Sequence, residues 1–230
     1  MFPNDIPIIR SARRTLSIEV DDAGNATIRA PLHAGDQAIA SFVREKSRWL
    51  QRATKKQQET YARRPQRLFK DGELFLYLGN SFPLLFKEGL GVVTHARILE
   101  VTDAFYLCSS AKHKAKSVLT RWYKNRARFV FRERAEMFAT RMGVDVSVIK
   151  LSSAGTRWGS CGAKNTLNFN WRLVMAPMDV IDSVVVHELA HCKHKNHGKR
   201  FWEYVAQHCP DYDTHDQWLK QNAPLLHWQE

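Results

Sequence analysis

The sequence feature that most constrains the fold is an apolar segment that contains two histidines and a glutamate. Residues 184–186 are three valines, and the run His187-Glu188-Leu189-Ala190-His191 follows them directly. A helix over this segment is apolar on nearly all sides, so we expect it to lie in the core. Burying a carboxylate and two imidazoles is costly unless these groups have partners. The segment therefore predicts a buried metal site.

The HExxH spacing predicts the chemistry of this site. His187 and His191 lie one helical turn apart, so both imidazoles can reach one ion, with Glu188 beside the open coordination position. Three neutral histidines leave Zn²⁺ its full charge, which lowers the pKa of a zinc-bound water to about 7 and polarises a substrate carbonyl. Glu188 accepts the proton of this water and delivers it to the leaving amine. The prediction is an HExxH-type zinc metalloprotease that acts on proteins or peptides.

The third metal ligand is predicted to be His197. Asn196 and Gly198 can end the helix just there and turn His197 back toward the ion. His194 is an alternative on the same helical face, but seven residues of helix rise about 10.5 Å, too far to share an ion with the first histidine of the motif. Glu203 is a second alternative, because some enzymes of this type take a glutamate from a following helix.

The chain as a whole is predicted to be α+β, with a β-rich part over residues 1–110 and a catalytic part over residues 111–230. Alternating residues 15–20 and 26–30 flank a turn and predict a β-hairpin. Apolar residues at helical spacing predict a helix from about Asp36. Further strands are predicted over residues 74–77, 82–86, 96–101 and 105–108.

The second part is predicted to contain most of the helices. Residues 111–142 lack glycine and proline and predict one long helix. The remaining predictions are helices over 176–195, 198–209 and 214–221 and strands over 148–151, 157–160 and 167–173. One of these strands is a candidate for binding the substrate by β-augmentation. The alternative is a hairpin that packs Trp158, Phe169 and Trp171 into the core.

The lengths of the apolar runs, the N-terminal sequence and the cysteine spacing argue against several other classes of protein. No apolar run approaches the ~18 residues that span a bilayer, and the N-terminus lacks the cationic start and apolar stretch of a secretory signal. We therefore expect a cytoplasmic protein with no membrane partner. The four cysteines form no CxxC pair, which argues against a zinc ribbon or a disulfide framework. No sequence feature specifies an oligomeric state.

Positive charge is concentrated on the long helix, between residues 112 and 141. The formal net charge of the protein is +12, and this segment holds ten Lys or Arg residues but only two Glu residues. Four of these cations fall in one stripe at helical spacing, namely Arg121, Lys124, Arg128 and Arg132. Such a stripe can follow a phosphate backbone, so DNA is a candidate partner. The alternative is a solvated face that aids solubility.

This charge supports a rival to the peptidase hypothesis. The rival is a nucleic-acid-binding or scaffold protein with a structural or degenerate zinc site. A fourth protein ligand would favour the rival, because catalysis needs an open coordination position. Three residues near the motif are left out of the predicted site: Arg157 and Arg172 are interpreted as ion-pair partners, and Cys161 as a buried structural cysteine.

Several motifs resemble those of a known family. They are residues 10–15 (RSARRT), 71–79, 157–161 (RWGSC), 168–173 (NFNWRL) and 187–198 (HELAHCKHKNHG), the last followed by Phe201-Trp202. In this order they resemble the YgjP-like metallopeptidases, which are similar to SprT-like and WLM-type zinc proteases. The resemblance covers nearly the whole chain. It implies a zincin-like catalytic part, with the two motif histidines and His197 as zinc ligands and Glu188 as general base.

The chain departs from the family pattern near its C-terminus. Asp211-Tyr212 and Trp218-Leu219 match the pattern. The residues between them are usually basic, but here they are Asp213, Thr214, His215 and Asp216. No role of a basic turn is therefore carried over to this chain.

Overall fold

The computed structural model describes residues 6–21, 23–88, 103–155 and 157–228. Their packing divides the chain after Pro65 into two compact units, of which the second runs from Gln66 to Trp228. Each unit combines helix with small sheets, so the predicted mixed α+β class is confirmed. The strands between residues 74 and 108 belong to the second unit. The domain boundary predicted near residue 110 stays a prediction.

The first unit is a three-stranded sheet with one long helix. Its elements are β1 (Ile8–Ser11), β2 (Ser17–Val20), β3 (Ala26–Pro31) and α1 (Asp36–Ala62). Strands β2 and β3 pair antiparallel, which confirms the predicted hairpin. Strand β1 was not predicted from the sequence, and it pairs parallel with β3. Ile28, Ile39 and Val43 are among the buried residues of this unit's small core.

The second unit begins with a sheet whose first turn is hydrogen-bonded to residues 174 and 175. Its strands are β4 (Leu74–Tyr77), β5 (Asn80–Lys87) and β6 (Phe105–Cys108), in the order β4-β5-β6. Leu78 and Gly79 join β4 to β5 with φ angles of 48° and 82°, as in a type I′ turn. Their backbone N–H groups donate to the carbonyls of Val174 and Met175. The strand predicted over residues 96–101 lies outside the described residues.

Helix α2 spans Ala115–Met142. Its length follows from the lack of glycine and proline, and it ends at Gly143, whose φ of 61° is the left-handed conformation that closes many helices. We expected the helix to begin at residue 111, but Ser109–Lys114 form a tighter 3₁₀ turn before it. Leu119, Tyr123 and Phe131 on its inner side are fully buried.

A second sheet of the same unit, which we call the site sheet, lies beside the motif helix. Its strands are β7 (Val148–Ser152), β8 (Gly159–Cys161) and β9 (Thr166–Asn170), with β9 in the centre and β8 at one edge. The sequence predicts that β9 continues to Leu173, but the chain instead enters a buried 3₁₀ turn at Trp171–Met175. The Asn170 side chain accepts a hydrogen bond from the backbone N–H of Arg172 at 3.1 Å, which supports this turn.

Three further helices complete the second unit. They are α3 (Met178–Lys193), α4 (Lys199–His208) and α5 (Tyr212–Asn222), all close to the predicted ranges. Helix α3 packs against α2, α4, α5 and β8, and its apolar side chains, such as Ile181, Val185 and Leu189, are fully buried. Burying each of these contributes roughly 1.5–3 kcal/mol. Across the described residues, no helix has the length and apolar content needed to cross a bilayer.

Candidate metal centre

Three histidines converge at the C-terminal end of α3, and we call them the histidine cluster: His187, His191 and His197. One ring nitrogen from each lies within 4.8 Å of the others, and the Nε2 atoms of His187 and His197 are 3.1 Å apart. Imidazole nitrogens that share a tetrahedral zinc ion at about 2.1 Å lie about 3.4 Å apart. The number, type and spacing of these donors therefore fit a zinc ion.

The turn between α3 and α4 brings His197 to the other two histidines. Helix α3 ends at Lys193, and His194 is already extended, with φ −126° and ψ 103°. Gly198 then begins α4 with an extended backbone, and its N–H donates to the Asn196 carbonyl at 2.8 Å. The break was expected at Asn196 and Gly198, but the helix ends slightly earlier, at Lys193. The φ of Gly198 is −79°, so the break does not use the left-handed conformation of glycine.

The two alternative ligands occupy other positions. The ring of His194 packs 5.6 Å from that of Tyr204, and its carbonyl oxygen is the partner of His191 Nδ1 at 3.1 Å. Glu203 is exposed on α4 and pairs with Lys199 at 3.8 Å. Neither is part of the one convergent group of metal-binding side chains within the described ranges.

Glu188 is a buried carboxylate beside the cluster. Its side chain faces strand β8 so closely that a Cβ atom added to Gly159 would lie 2.5 Å from Oε1. Burial raises the pKa of Glu188 to about 7, and the positive charge of Arg157 partly opposes this rise. Position 159 therefore accepts only glycine unless the carboxylate moves, a constraint that the local sequence does not reveal.

The surroundings of the cluster lower the pKa values of two of its imidazoles, those of His187 and His191. Burial, together with the neighbouring imidazoles of His191 and His197, lowers the pKa of His187 to about 4. Burial also lowers the pKa of His191. Phe201 is fully buried beneath the cluster, with ring centroids 4.6–5.0 Å from all three histidines. Neutral imidazole is the form that binds metal ions, so the lowered pKa values of His187 and His191 favour metal binding by these two side chains.

Two aromatic residues that the sequence analysis did not assign to the site lie at its rim. Trp202 is 41% exposed, and its ring stacks on that of His197 at 5.7 Å. Tyr212, the first residue of α5, places its hydroxyl 3.0 Å from Nδ1 of His187. The local sequence contains no signal for either contact beyond the resemblance around residues 201–202 and 211–212, because both depend on how separate helices pack.

The three residues left out of the predicted site have distinct environments. Cys161 Sγ lies 3.9 Å from Cys192 Sγ, and burial together with this contact raises the pKa of Cys192 to about 12. The buried guanidinium of Arg172 lies 4.5 Å from the centre of the Trp171 ring. Arg157 is exposed, and its positive charge acts to lower the pKa of Glu188. Their interpretation as a structural cysteine and ion-pair partners stays a prediction.

The chain is similar to known metallopeptidases. The sequence model of the YgjP-like metallopeptidase domain family matches residues 14–222 of this chain. No curated protein shows a significant match. The crystal structure of the metallopeptidase zymogen jannalysin of Methanocaldococcus jannaschii is similar over 40% of this chain and 96% of its own, with 19% identity and a TM-score of 0.36. The family match includes the histidine cluster and Glu188, and it shows that the chain belongs to the YgjP-like metallopeptidases.

Proposed function

We propose that the protein is a zinc-dependent peptidase in which the histidine cluster holds Zn²⁺ and Glu188 is the general base. The observation that carries the proposal is the convergence of three imidazoles beside one buried carboxylate. When bound, Zn²⁺ supplies a Lewis acid that polarises a substrate carbonyl and acidifies water. The substrate is a protein or a peptide, as the metallopeptidase family indicates.

Glu188 performs the proton transfers in this proposal. Its carboxylate accepts a proton from the attacking water and later delivers that proton to the leaving amine nitrogen. The backbone of β8 at Gly159 packs against the carboxylate and limits the positions that it can take. Such confinement holds a base in one geometry, which lowers the entropy that the reaction must lose.

Strand β8 is the proposed docking edge for the substrate. It lies at the edge of the site sheet and packs against α3. An extended peptide that pairs with an edge strand gains main-chain hydrogen bonds whatever its sequence. The exposed ring of Trp202 lies at the rim of the same site and offers an apolar surface to a substrate side chain.

The rival hypothesis of a structural zinc site receives less support. Structural zinc sites normally have four protein ligands. Within the part of the chain that the structure describes, the convergent group has three members. Burying a carboxylate has a substantial cost in free energy. The rival hypothesis assigns no function to the buried Glu188 that would explain this cost.

Recruitment to nucleic acid is a further part of the proposal. On α2, Arg121, Arg128 and Arg132 are exposed and lie along one side of the helix. Lys124 is half-buried, with its ammonium 5.9 Å from the centre of the Trp171 ring, so only three of the four predicted cations face solvent. These three define what we call the basic stripe.

Metal analysis combined with a cleavage assay tests the proposal. Purified wild-type protein is expected to contain about one zinc ion per chain and to cleave an unfolded protein such as reduced casein, and a chelator should abolish cleavage. His197→Ala should lose both zinc and activity. His194→Ala is the matched control and should retain both. Wild-type protein that binds zinc but cleaves no unfolded substrate would favour the structural-site rival.

A further inference from the structure

One contact of the cluster comes from a different helix. The hydroxyl oxygen of Tyr212 lies 3.0 Å from Nδ1 of His187. The two rings are stacked, with centroids 5.5 Å apart and planes inclined by 19°. Tyr212 is half-buried and begins α5, whereas His187 lies on α3. The contact therefore connects two helices through residues that are 25 positions apart in the chain.

The other nitrogen of the same imidazole faces the cluster. His187 Nε2 is 3.1 Å from His197 Nε2, so Nε2 is the atom available to a shared ion. His191 has the same arrangement, because its Nδ1 lies 3.1 Å from the carbonyl oxygen of His194. When Nε2 binds a metal, the proton must reside on Nδ1, which then donates a hydrogen bond. The acceptor is a backbone carbonyl for His191 and the Tyr212 hydroxyl for His187.

Several contacts hold the Tyr212 ring in place. The Trp202 ring packs 5.4 Å from it on the side of α4. Leu219 anchors α5 in the core, where it is 4% exposed. His215 Nε2 lies 3.5 Å from Asp179 in the first turn of α3, on the same α3–α5 interface. The tyrosine hydroxyl is therefore presented by a packed helix rather than by a loop.

We propose that Tyr212 is a positioning residue for the metal site. Its hydroxyl oxygen accepts the Nδ1–H of His187 and thereby fixes the tautomer and orientation in which Nε2 binds the ion. A neutral phenol does this without adding negative charge, so the ion keeps the charge that polarises a carbonyl. This inference rests on the proposed function, because it assumes that the histidine cluster binds zinc.

Removal of the single hydroxyl tests the inference. Tyr212→Phe retains the ring that stacks on His187 but loses the acceptor, and we expect the zinc dissociation constant to rise about 10- to 100-fold. The measurement is competition for zinc between the metal-free protein and a chromophoric chelator. The visible spectrum of the Co²⁺-loaded protein should shift in the same variant, because the orientation of a ligand changes.

Tyr204→Phe is the matched control. Tyr204 lies on α4, where its ring packs 5.6 Å from that of His194, and its hydroxyl donates to the backbone carbonyl of Met142. This variant should keep wild-type zinc affinity and the wild-type Co²⁺ spectrum. Thermal unfolding of both metal-free variants shows whether either change acts only through stability.

The outcomes separate this inference from the proposed function. If wild-type protein binds zinc stoichiometrically and Tyr212→Phe binds it as tightly with an unchanged Co²⁺ spectrum, the positioning role is wrong. Equal losses of affinity in Tyr212→Phe and Tyr204→Phe, each matched by a loss of metal-free stability, would also overturn it. Wild-type protein that binds no zinc would instead overturn the proposed function on which the inference rests.

Discussion

Helices α2 and α3 pack against each other in the second unit but differ in the character of their side chains. Helix α2 is the longer, at 28 residues, and exposes most of its positive charges to solvent. Helix α3 has 16 residues, and its buried set includes Glu188 among valine, isoleucine and leucine side chains. The two helices are joined by Arg134, whose guanidinium makes two hydrogen bonds of 2.6 Å to Asp182.

The difference shows where a sequence carries functional information. Exposed lysines and arginines on α2 remain solvated in many arrangements, so their presence alone constrains the function weakly. A carboxylate buried in apolar surroundings, as on α3, costs several kcal/mol unless a partner compensates. The polar residues of α3 therefore indicate a partner much more strongly than the cations of α2. Variants of the two helices and of the residues that contact them test this contrast, from the largest expected effect on the site to the smallest.

The largest effect is expected from Glu188→Gln, which removes the proposed base and keeps the shape of the side chain. Cleavage of an unfolded protein should fall by about 10²–10⁴-fold while zinc content stays near that of the wild type. The control is Glu203→Gln on α4, the same chemical change at an exposed position paired with Lys199. If Glu188→Gln cleaves at the wild-type rate, the role of the buried carboxylate is wrong.

A smaller effect is expected from Gly159→Ala, which changes no residue of α3. The new methyl group would lie 2.5 Å from Oε1 of Glu188 and must displace it. A strained rotamer costs about 0.5–1.5 kcal/mol, so cleavage should fall roughly tenfold with zinc retained. Gly162→Ala in the same hairpin is the control, since its nearest neighbour would be 3.6 Å away. Equal activities of the two variants would contradict the close packing at Gly159.

Disruption of the connection between the two helices should affect stability more than chemistry. Arg134→Met removes the paired hydrogen bonds to Asp182, whose side chain is only 18% exposed. We expect a loss of about 1–3 kcal/mol in the free energy of unfolding, measured by urea denaturation. The control is Arg132→Met, an exposed arginine of the same helix, which should change stability by less than about 0.5 kcal/mol. A loss as large in the control would show that α2 gains stability from its exposed charges.

The smallest effect on the site is expected from reversing the basic stripe, with Arg121, Arg128 and Arg132 all changed to Glu. Cleavage without DNA should remain at the wild-type level, because these side chains face solvent. Binding to a DNA duplex should weaken, and the salt dependence of its affinity should flatten by about one unit of slope per lost phosphate contact. The measurement is fluorescence anisotropy over a salt series. Unchanged affinity and slope would refute the recruiting role of α2.

Local sequence patterns predicted those parts of the fold that depend on neighbouring residues. Alternation around a turn gave the hairpin of β2 and β3, and helical spacing gave α1 and most of α2. The spacing of the motif also predicted that two imidazoles share one helical face, and their ring centroids are 5.1 Å apart.

Features that depend on distant contacts were not predictable in the same way. Strand β1 is short and exposed, and only its parallel pairing with β3 defines it. Residues 171–173 look like a continuing strand because they are largely apolar, but Asn170 and the surrounding core turn them into a 3₁₀ turn. The contact between Tyr212 and His187 requires α5 to pack on α3, which no local pattern encodes.

The histidines of the cluster lie close together in the sequence, which limits how far a bound ion can stabilise the fold. His187 and His197 are ten positions apart, so an ion bound to both closes only a small loop. Closing a small loop removes little entropy from the unfolded chain compared with a link between distant segments. Metal removal is therefore expected to increase hydrogen exchange of backbone amides in the turn between α3 and α4. Amides in the middle of α2 should remain protected from hydrogen exchange, since their burial does not depend on the turn between α3 and α4.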